Sequence, residues 1–224
     1  MKTKFLSLFT LILISTTIST AQAVFTVIPS GEAVGIAVKT KGLLVTGITE
    51  ITNADGNSVN AAYKAGVRKG DIITAVDGNV LKTNEELADY VVNRPNKIIL
   101  TIERKSKIIN LLIKPVKTND GYKLGIWVRD STAGIGTLTF INPHDKTFSG
   151  LGHSISDVDT NDILTIRDGN ILKCDILEPT TGKKGVPGEL NGAFSNESLG
   201  KITSNSESGI FGEYSKEISG KPIE

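Results

Sequence analysis

The sequence of 224 residues has little cysteine, little histidine and almost no net charge, and each shortage excludes a class of protein. Its one cysteine, Cys174, cannot form a disulfide within the chain, so a fold held together by disulfides is excluded. Lysine and arginine number 25 against 24 aspartates and glutamates, and no basic block is interleaved with aromatic residues. We therefore expect no nucleic-acid partner.

The scarcity of histidine also argues against a metal site. The two histidines, His144 and His153, have Asp157 as a nearby acid, but this set lacks the ligand spacing that recurs in metal-binding motifs. We expect neither a metal nor another cofactor.

The N-terminal segment has the form of a secretory signal. Lys2 and Lys4 precede the apolar run Phe5–Ile14, which is too short to span a bilayer comfortably. Ala21-Gln22-Ala23 has the small-x-small form that signal peptidase cuts. Residues 1–23 are therefore predicted to be a signal peptide, with an uncleaved membrane anchor as the alternative, and the rest of the chain is expected outside the cytoplasm.

The first part of the remaining chain, residues 24–116, carries the turn signals of a compact α+β module. The pattern predicts a short helix that begins at Ala61 and is closed by Gly66. It then predicts a strand over 72–76 and a hairpin turn at Asp77-Gly78.

A second helix and a closing hairpin complete this module. Thr83 and Glu86 have the spacing of a capping box, and the helix they open is predicted to end at Asn93. Alternating apolar residues over 98–102 and 109–113 predict two paired strands.

After a connector near Val116, the chain is strongly β in character. Strand-like residues 136–140 reach a turn at 142–145, and the chain returns through residues 146–149 to deliver His153. A histidine general base needs a nucleophile within hydrogen-bond reach and a carboxylate that holds its tautomer. Ser154, Asp157 and Asp159 are close in sequence, but triad members normally come from separate segments. The residues alone leave open whether His153 is catalytic or a packed side chain.

The first module resembles a PDZ domain of the bacterial type. The resemblance rests on Val34-Gly35-Ile36, on the segment "AGVRKGDIITAVDG" and on the amphipathic helix after it. It implies peptide binding, in which N–H groups near Val34, Gly35 and Ile36 hold a terminal carboxylate and the peptide pairs with the strand over 36–38. The helix from Asn84 would form the groove wall. The alternative is a PDZ fold that serves only as a packing platform.

The region after the connector resembles the peptidase domain of the stage IV sporulation protein B family, a family of secreted serine peptidases. The resemblance rests on "RDSTAGIGTLTFINPHDKTFSGLGHSISD" and on "GIFG" at 209–212. Together with the first module it implies a mainly β chain with an α+β part. In that arrangement a PDZ domain over 24–116 is followed by the first part of a chymotrypsin-like double β-barrel over 117–224.

The resemblance also implies the chemistry. His153 matches the catalytic histidine, which takes a proton from a serine hydroxyl and passes it to the leaving amine. The family's triad aspartate and serine lie far downstream of "GIFG", so we expect this chain to be truncated before them and inactive as it stands. Ser219 imitates the nucleophile segment but lacks the glycine two residues before the serine. Asp157 and Asp159 are weak candidates for the triad acid, since turn and strand-end hydrogen bonds explain them as well.

The implied biological role is regulated proteolysis during sporulation. The family cleaves a membrane-bound regulator in the space between the forespore and mother cell membranes, so that a late sporulation sigma factor is activated, and it also cleaves itself. Two other hypotheses stay open: a catalytically inactive secreted PDZ module that binds peptides, and an unrelated secreted binding protein with a PDZ fold.

Overall fold

A computed structural model describes residues 26–223 of the chain. The predicted signal peptide over residues 1–23 lies outside the described residues. The described part is mainly β, with two helices among its elements. The strands are β1 (Ile28–Pro29), β2 (Ala33–Ile48), β3 (Ile51–Thr52), β4 (Ser58–Val59), β5 (Ile72–Val76), β6 (Asn79–Val80), β7 (Ile98–Arg104), β8 (Lys107–Ile113), β9 (Val116–Thr118), β10 (Gly121–Lys123), β11 (Ile126–Ile141), β12 (Thr147–Gly150), β13 (Ile166–Thr180), β14 (Glu189–Ser206) and β15 (Gly209–Tyr214).

The two helices confirm the predicted caps. Helix α1 (Ala61–Ala65) ends at Gly66, whose φ of 95° is the left-handed conformation that favours glycine. Helix α2 (Asn84–Val92) begins after Thr83, whose side chain accepts a hydrogen bond from the Glu86 N–H, and the Glu86 carboxylate reaches back to complete the capping box. The predicted hairpin is present as β7 and β8. None of the described helices is long and apolar enough to cross a membrane.

A first hydrophobic core lies beneath the two helices. It is built from β2, β5, β7, β8 and α2, with Leu43, Ile73, Leu100 and Ile102 fully buried. Leu124 belongs to the same core, although it follows the predicted connector at Val116. This core therefore draws on residues from both sides of that connector.

A buried ion pair explains the charged positions of the "AGVRKGD" segment. The guanidinium of Arg104 donates to both carboxylate oxygens of Asp71 at 2.6 and 2.7 Å, and the backbone N–H of Arg68 donates to the same carboxylate at 2.8 Å. Asp71 is almost fully buried, so these bonds replace the water that the carboxylate loses. The pair fixes the turn before β5 to the end of β7.

The second core is the interior of a closed β-barrel. The strands pair in a ring in the order β2, β11, β12, β15, β14, β13 and back to β2. Val34, Phe148, Ile171 and Ile210 are fully buried inside it, together with Leu138 and Ile202. The predicted hairpin before His153 is confirmed as the pairing of β11 with β12.

Two long strands belong to both cores. The C-terminal half of β2 places Leu43 and Val45 in the first core, and its N-terminal half places Val34 and Ile36 in the barrel. Strand β11 pairs antiparallel with β2 along nearly the whole of this length. The two parts of the chain therefore share a continuous two-stranded ladder rather than a flexible linker.

Candidate functional site

His153 lies three residues beyond β12, at the mouth of a cleft in the barrel wall. Its side chain is exposed, and its ring Nδ1 is 2.9 Å from the carbonyl oxygen of Ser154. A bond of this kind fixes Nδ1 as the protonated nitrogen and leaves Nε2 as the free acceptor. A general base needs an acceptor nitrogen of this kind.

The cleft beside His153 has a volume of about 420 Å³. Residues 132–135 of β11 line the cleft together with His153, Ser154 and Val158. In the described part of the chain, residues 132–135 pair with β2 alone, so the other edge of β11 faces the cleft. Gly134 presents no side chain there, and a Cβ at this position would meet nothing within 4 Å. An extended peptide can therefore approach the main chain of β11.

Asp157 and Asp159 are occupied by a structural arginine rather than by His153. Arg129 donates from Nη1 to Asp157 at 2.5 Å and from Nη2 to Asp159 at 3.2 Å. The other oxygen of Asp157 accepts from the backbone N–H groups of Asp159 and Thr160 at 2.9 and 3.0 Å. The alternative reading from sequence, turn and strand-end hydrogen bonding, is the one the geometry supports.

Neither neighbouring serine is placed as a nucleophile. The Ser154 hydroxyl lies 3.3 Å from the Ser156 hydroxyl, and the one hydrogen bond of the His153 ring within residues 26–223 is the bond to the Ser154 carbonyl. Ser219 belongs to the C-terminal segment that runs back to the first described residues, where Ile223 pairs with Val27. No described serine hydroxyl is hydrogen-bonded to the His153 ring.

The predicted carboxylate nest at Val34, Gly35 and Ile36 is corrected by the structure. These residues lie inside β2, with β11 on one edge and β13 on the other, so no edge is left for a peptide strand. Gly35 serves packing, because the Phe194 ring lies against it and a Cβ would come within 2.6 Å of that ring.

A second apolar-glycine-apolar segment, Leu124-Gly125-Ile126, occupies the position that the prediction gave to residues 34–36. It opens a groove of about 750 Å³ between the start of β11 and helix α2. The groove is lined on the helix side by Leu87, Ala88, Val91 and Val92, and on the strand side by residues 124–128.

The strand side of this groove is open for pairing. Residues 126–128 pair with β2 on one edge only, and the N–H groups of Leu124 and Gly125 donate to no backbone carbonyl of residues 26–223. Gly125 has a φ of 74°, and a Cβ there would come within 2.5 Å of the Thr49 carbonyl oxygen. A glycine is therefore required at this turn, whose free N–H groups can receive an anion.

The helix side of the groove carries an unsatisfied polar atom. Oδ1 of Asn84 is buried and has no hydrogen-bond partner among the described residues. Buried polar atoms are normally paired, so this oxygen is an exception among the described residues.

Other side chains that could carry chemistry are not grouped. Across residues 26–223, no cluster of three or more His, Cys, Asp or Glu side chains is arranged to hold a metal ion. Burial raises the pKa of the Cys174 thiol, which keeps it protonated and unreactive.

Two protein families match parts of the chain. Residues 120–224 match the family described as SpoIVB peptidase S55, and residues 58–104 match the PDZ domain family. The second match covers helix α2, which lines the groove, and α1 and β5, which pack in the first core. The first covers His153 and most strands of the barrel. The chain is thus mainly β, with a PDZ domain followed by a β-rich peptidase region.

Curated relatives cover shorter stretches. The "Probable periplasmic serine endoprotease DegP-like" of Brucella suis is 34% identical over 50% of this chain and 23% of its own length. The "Putative zinc metalloprotease R01501" of Rhizobium meliloti is 37% identical over 35% of this chain and 21% of its own length. The chain thus spans less than a quarter of either relative.

Among solved structures, the PDZ domain of the SdrC-like protein from Listeria monocytogenes is similar at 21% identity, with a TM-score of 0.32. The match covers 41% of this chain and 90% of that domain.

Proposed function

Because residues 120–224 belong to the SpoIVB peptidase S55 family and a PDZ domain precedes them, we propose that this chain is the PDZ and histidine-bearing part of a secreted serine endopeptidase. The groove between α2 and β11 selects a peptide or protein partner, and the cleft at His153 is where a peptide bond is cut. The observation that carries the proposal is that one strand, β11, offers an open edge at both places.

The groove suits an extended peptide with a free C-terminus. The peptide adds as a strand to the open edge at residues 126–128, and its carboxylate accepts from the free N–H groups at Leu124 and Gly125. Side chains of the peptide enter the apolar wall formed by Leu87 and Val91.

In the cleft, His153 acts as general base and then as general acid. Nε2 takes the proton from a serine hydroxyl as that oxygen attacks the substrate carbonyl, and the imidazolium then gives the proton to the leaving amine. The substrate strand lies along residues 132–135 of β11. No serine hydroxyl or carboxylate of residues 26–223 is hydrogen-bonded to the His153 ring.

The resemblance to the family also implies a biological setting for this peptidase activity. The enzyme acts outside the cytoplasm, in the space between the forespore and mother cell membranes. There it cleaves a membrane-bound regulator, and itself, in the regulated proteolysis that activates a late sporulation sigma factor. A catalytically inactive PDZ module that only binds peptides is the second candidate.

Peptide binding to the groove can be tested by fluorescence anisotropy. A library of labelled decapeptides with free C-termini is screened on the chain, and the tightest binder is compared with its C-terminal amide. We expect the amide to bind at least about tenfold more weakly, since it loses a charged hydrogen-bonded group. Equal affinities would contradict the carboxylate site.

A matched pair of variants locates the binding. Ala88→Trp fills the groove and should reduce affinity at least about tenfold, whereas Glu85→Trp lies on the same helix outside the groove and should not. Unchanged binding in Ala88→Trp would place the peptide elsewhere.

A separate experiment tests the cleft at His153. We expect that a fluorophosphonate probe does not label Ser219. Labelling that is lost in His153→Ala would show that this chain already holds a nucleophile.

A further inference from the structure

The hairpin of β7 and β8 and the residues beside it are strongly basic. Residues 97–117 contain six lysines and arginines against one acid, Glu103, whereas the whole chain has a net charge of +1. Arg104 is neutralised by Asp71, which leaves five lysines. None of these lysines forms an ion pair with a described residue. Like charges without counterions give this surface a positive potential that attracts anions.

The outer face of the same hairpin is apolar near its centre. Ile99 pairs with Leu112, and Glu103 pairs with Ile108, so these side chains lie on one face of the two strands. Ile99, Ile108 and Leu112 are 43%, 63% and 56% exposed. Strand β8 ends its sheet, and the alternate residues of both strands face the first core. Aliphatic side chains grouped on an exposed face mark an interaction surface.

A cavity at one end of this face gathers lysines from separate segments. It has a volume of about 810 Å³, and Leu112 belongs to its lining. Its one acid among the described lining residues is Asp55. Four exposed lysines from α1, from the two ends of the hairpin and from β9 line it: Lys64, Lys97, Lys114 and Lys117.

Two of these lysines are neighbours across the hairpin. Lys97 and Lys114 directly flank the last pair of the ladder, Ile98 with Ile113. Like charges at opposing positions of two strands are destabilising. An anion bound in the four-lysine cavity would remove this repulsion.

The residue types of the surface distinguish between the anions it could bind. Residues 97–117 contain no aromatic residue on which a nucleic-acid base could stack. Interfaces between proteins are enriched in aromatic residues and arginine and depleted in lysine, which is the reverse of this composition. A bilayer of anionic phospholipids offers phosphates to the ammonium groups and an apolar boundary to the aliphatic side chains.

We propose that the outer face of β7 and β8, together with the four-lysine cavity, binds the surface of an anionic phospholipid bilayer. Lipid phosphates lie at the four lysines, and the three exposed aliphatic side chains enter the boundary between headgroups and acyl chains. No residue of 97–117 lines the peptide groove or the cleft at His153, so both stay open on the bound chain.

Co-sedimentation with vesicles tests the proposal. The chain is used from Val24 onward, which keeps every described residue and removes the apolar run of the predicted signal peptide. Vesicles of phosphatidylglycerol mixed with phosphatidylcholine are compared with vesicles of phosphatidylcholine alone. We expect binding to the anionic vesicles only, and we expect it to weaken as the salt concentration rises from about 0.05 to about 0.5 M.

Matched double variants locate the contact. Lys97→Gln with Lys114→Gln removes two charges from the proposed surface and should reduce vesicle binding at least about tenfold. Lys183→Gln with Lys184→Gln makes the same change of net charge in the loop between β13 and β14, and should change binding by less than about twofold. All four lysines are exposed, and circular dichroism checks that both variants are folded.

A fluorescent probe tests the apolar part of the contact. Leu112→Cys is made with Cys174→Ser and labelled with a nitrobenzoxadiazole group. Its emission should move to shorter wavelength when anionic vesicles are added, because the probe leaves water. The control is Leu177→Cys with the same probe, since Leu177 is 70% exposed on β13, and its emission should not move.

Equal binding to the two kinds of vesicle, equal losses in the two lysine variants or an unchanged emission from residue 112 would each overturn the proposal. An oligoglutamate peptide is the remaining comparison. If it bound more tightly than the vesicles and required Lys97 and Lys114, the surface would serve an acidic protein and the membrane proposal would be wrong. These measurements are independent of peptide binding in the groove, which the anisotropy experiment measures.

Discussion

The assignment of Asp157 as a structural acid predicts a large loss of stability when it is replaced. Asp157→Ala removes the ion pair with Arg129 and the acceptor for two turn N–H groups. Asp157→Asn keeps an oxygen for the turn and removes only the charge. Asp159→Asn is the matched control, because Asp159 is half-exposed and contacts the same guanidinium at 3.2 Å.

The magnitudes follow from burial. A hydrogen bond to a charged group contributes about 1.5 to 3 kcal/mol, and Arg129 keeps a third of its side chain in water, so Asp157→Asn should cost about 2 kcal/mol. Loss of the two turn bonds adds about 1 kcal/mol each, so Asp157→Ala should cost about 4 kcal/mol. Asp159→Asn should cost less than about 1 kcal/mol.

Urea unfolding followed by circular dichroism measures these differences directly. If Asp157 were instead a catalytic acid that folding does not need, its replacement should leave the free energy of unfolding unchanged or increase it. Polar groups held for catalysis often lower stability. If Asp157→Asn were as stable as the unsubstituted chain, the structural reading of Asp157 would be wrong.

Two further predictions concern the barrel and the division of the chain. Gly212→Ala should destabilise by about 3 kcal/mol in thermal unfolding, because its Cβ would collide with the Lys201 carbonyl and the Phe148 ring inside the barrel, whereas Gly134→Ala meets nothing and should stay within about 0.5 kcal/mol of the parent. Fragments 24–116 and 117–224 should both be more sensitive to proteolysis than the intact chain, since the first loses Leu124 from its core and the second loses β2 from its barrel. A protease-resistant fragment that ends at Lys117 would contradict the second prediction.

Local features of the fold could be predicted from the sequence because each depends on a few adjacent residues. The capping box of Thr83 and Glu86, the glycine that closes α1 and the hairpin turn at Asp77-Gly78 are set by backbone conformations that those side chains favour. Strands β11 and β12, which lead to His153, follow from the apolar pattern and from the turn between them.

The location of the groove could not be predicted in the same way. Val34-Gly35-Ile36 and Leu124-Gly125-Ile126 have the same local pattern, although the first lies inside β2 and the second ends at the first residue of β11. They differ in what pairs with them, because β11 and β13 flank the first and helix α2 faces the second. The place of Gly125 close to the Thr49 carbonyl depends on contacts between distant segments, which a local pattern does not contain.

The environment of His153 shows the same limit. Arg129 was assigned no role from the sequence, although it is the first residue of the segment "RDSTAGIG". Its importance depends on the burial of Asp157, which lies 28 positions further on.

The ladder between β2 and β11 has a consequence for the kinetics of folding. Val34 pairs with Gly136, and Ala37 pairs with Ala133, so β2 is synthesised long before its partner exists. Contacts of such high sequence separation close late and slow the folding reaction. Until β11 arrives, β2 presents an apolar strand with unpaired edges, which is the kind of segment that aggregates or recruits a chaperone. Folding of this chain should therefore be limited by a single late step in which both cores close together.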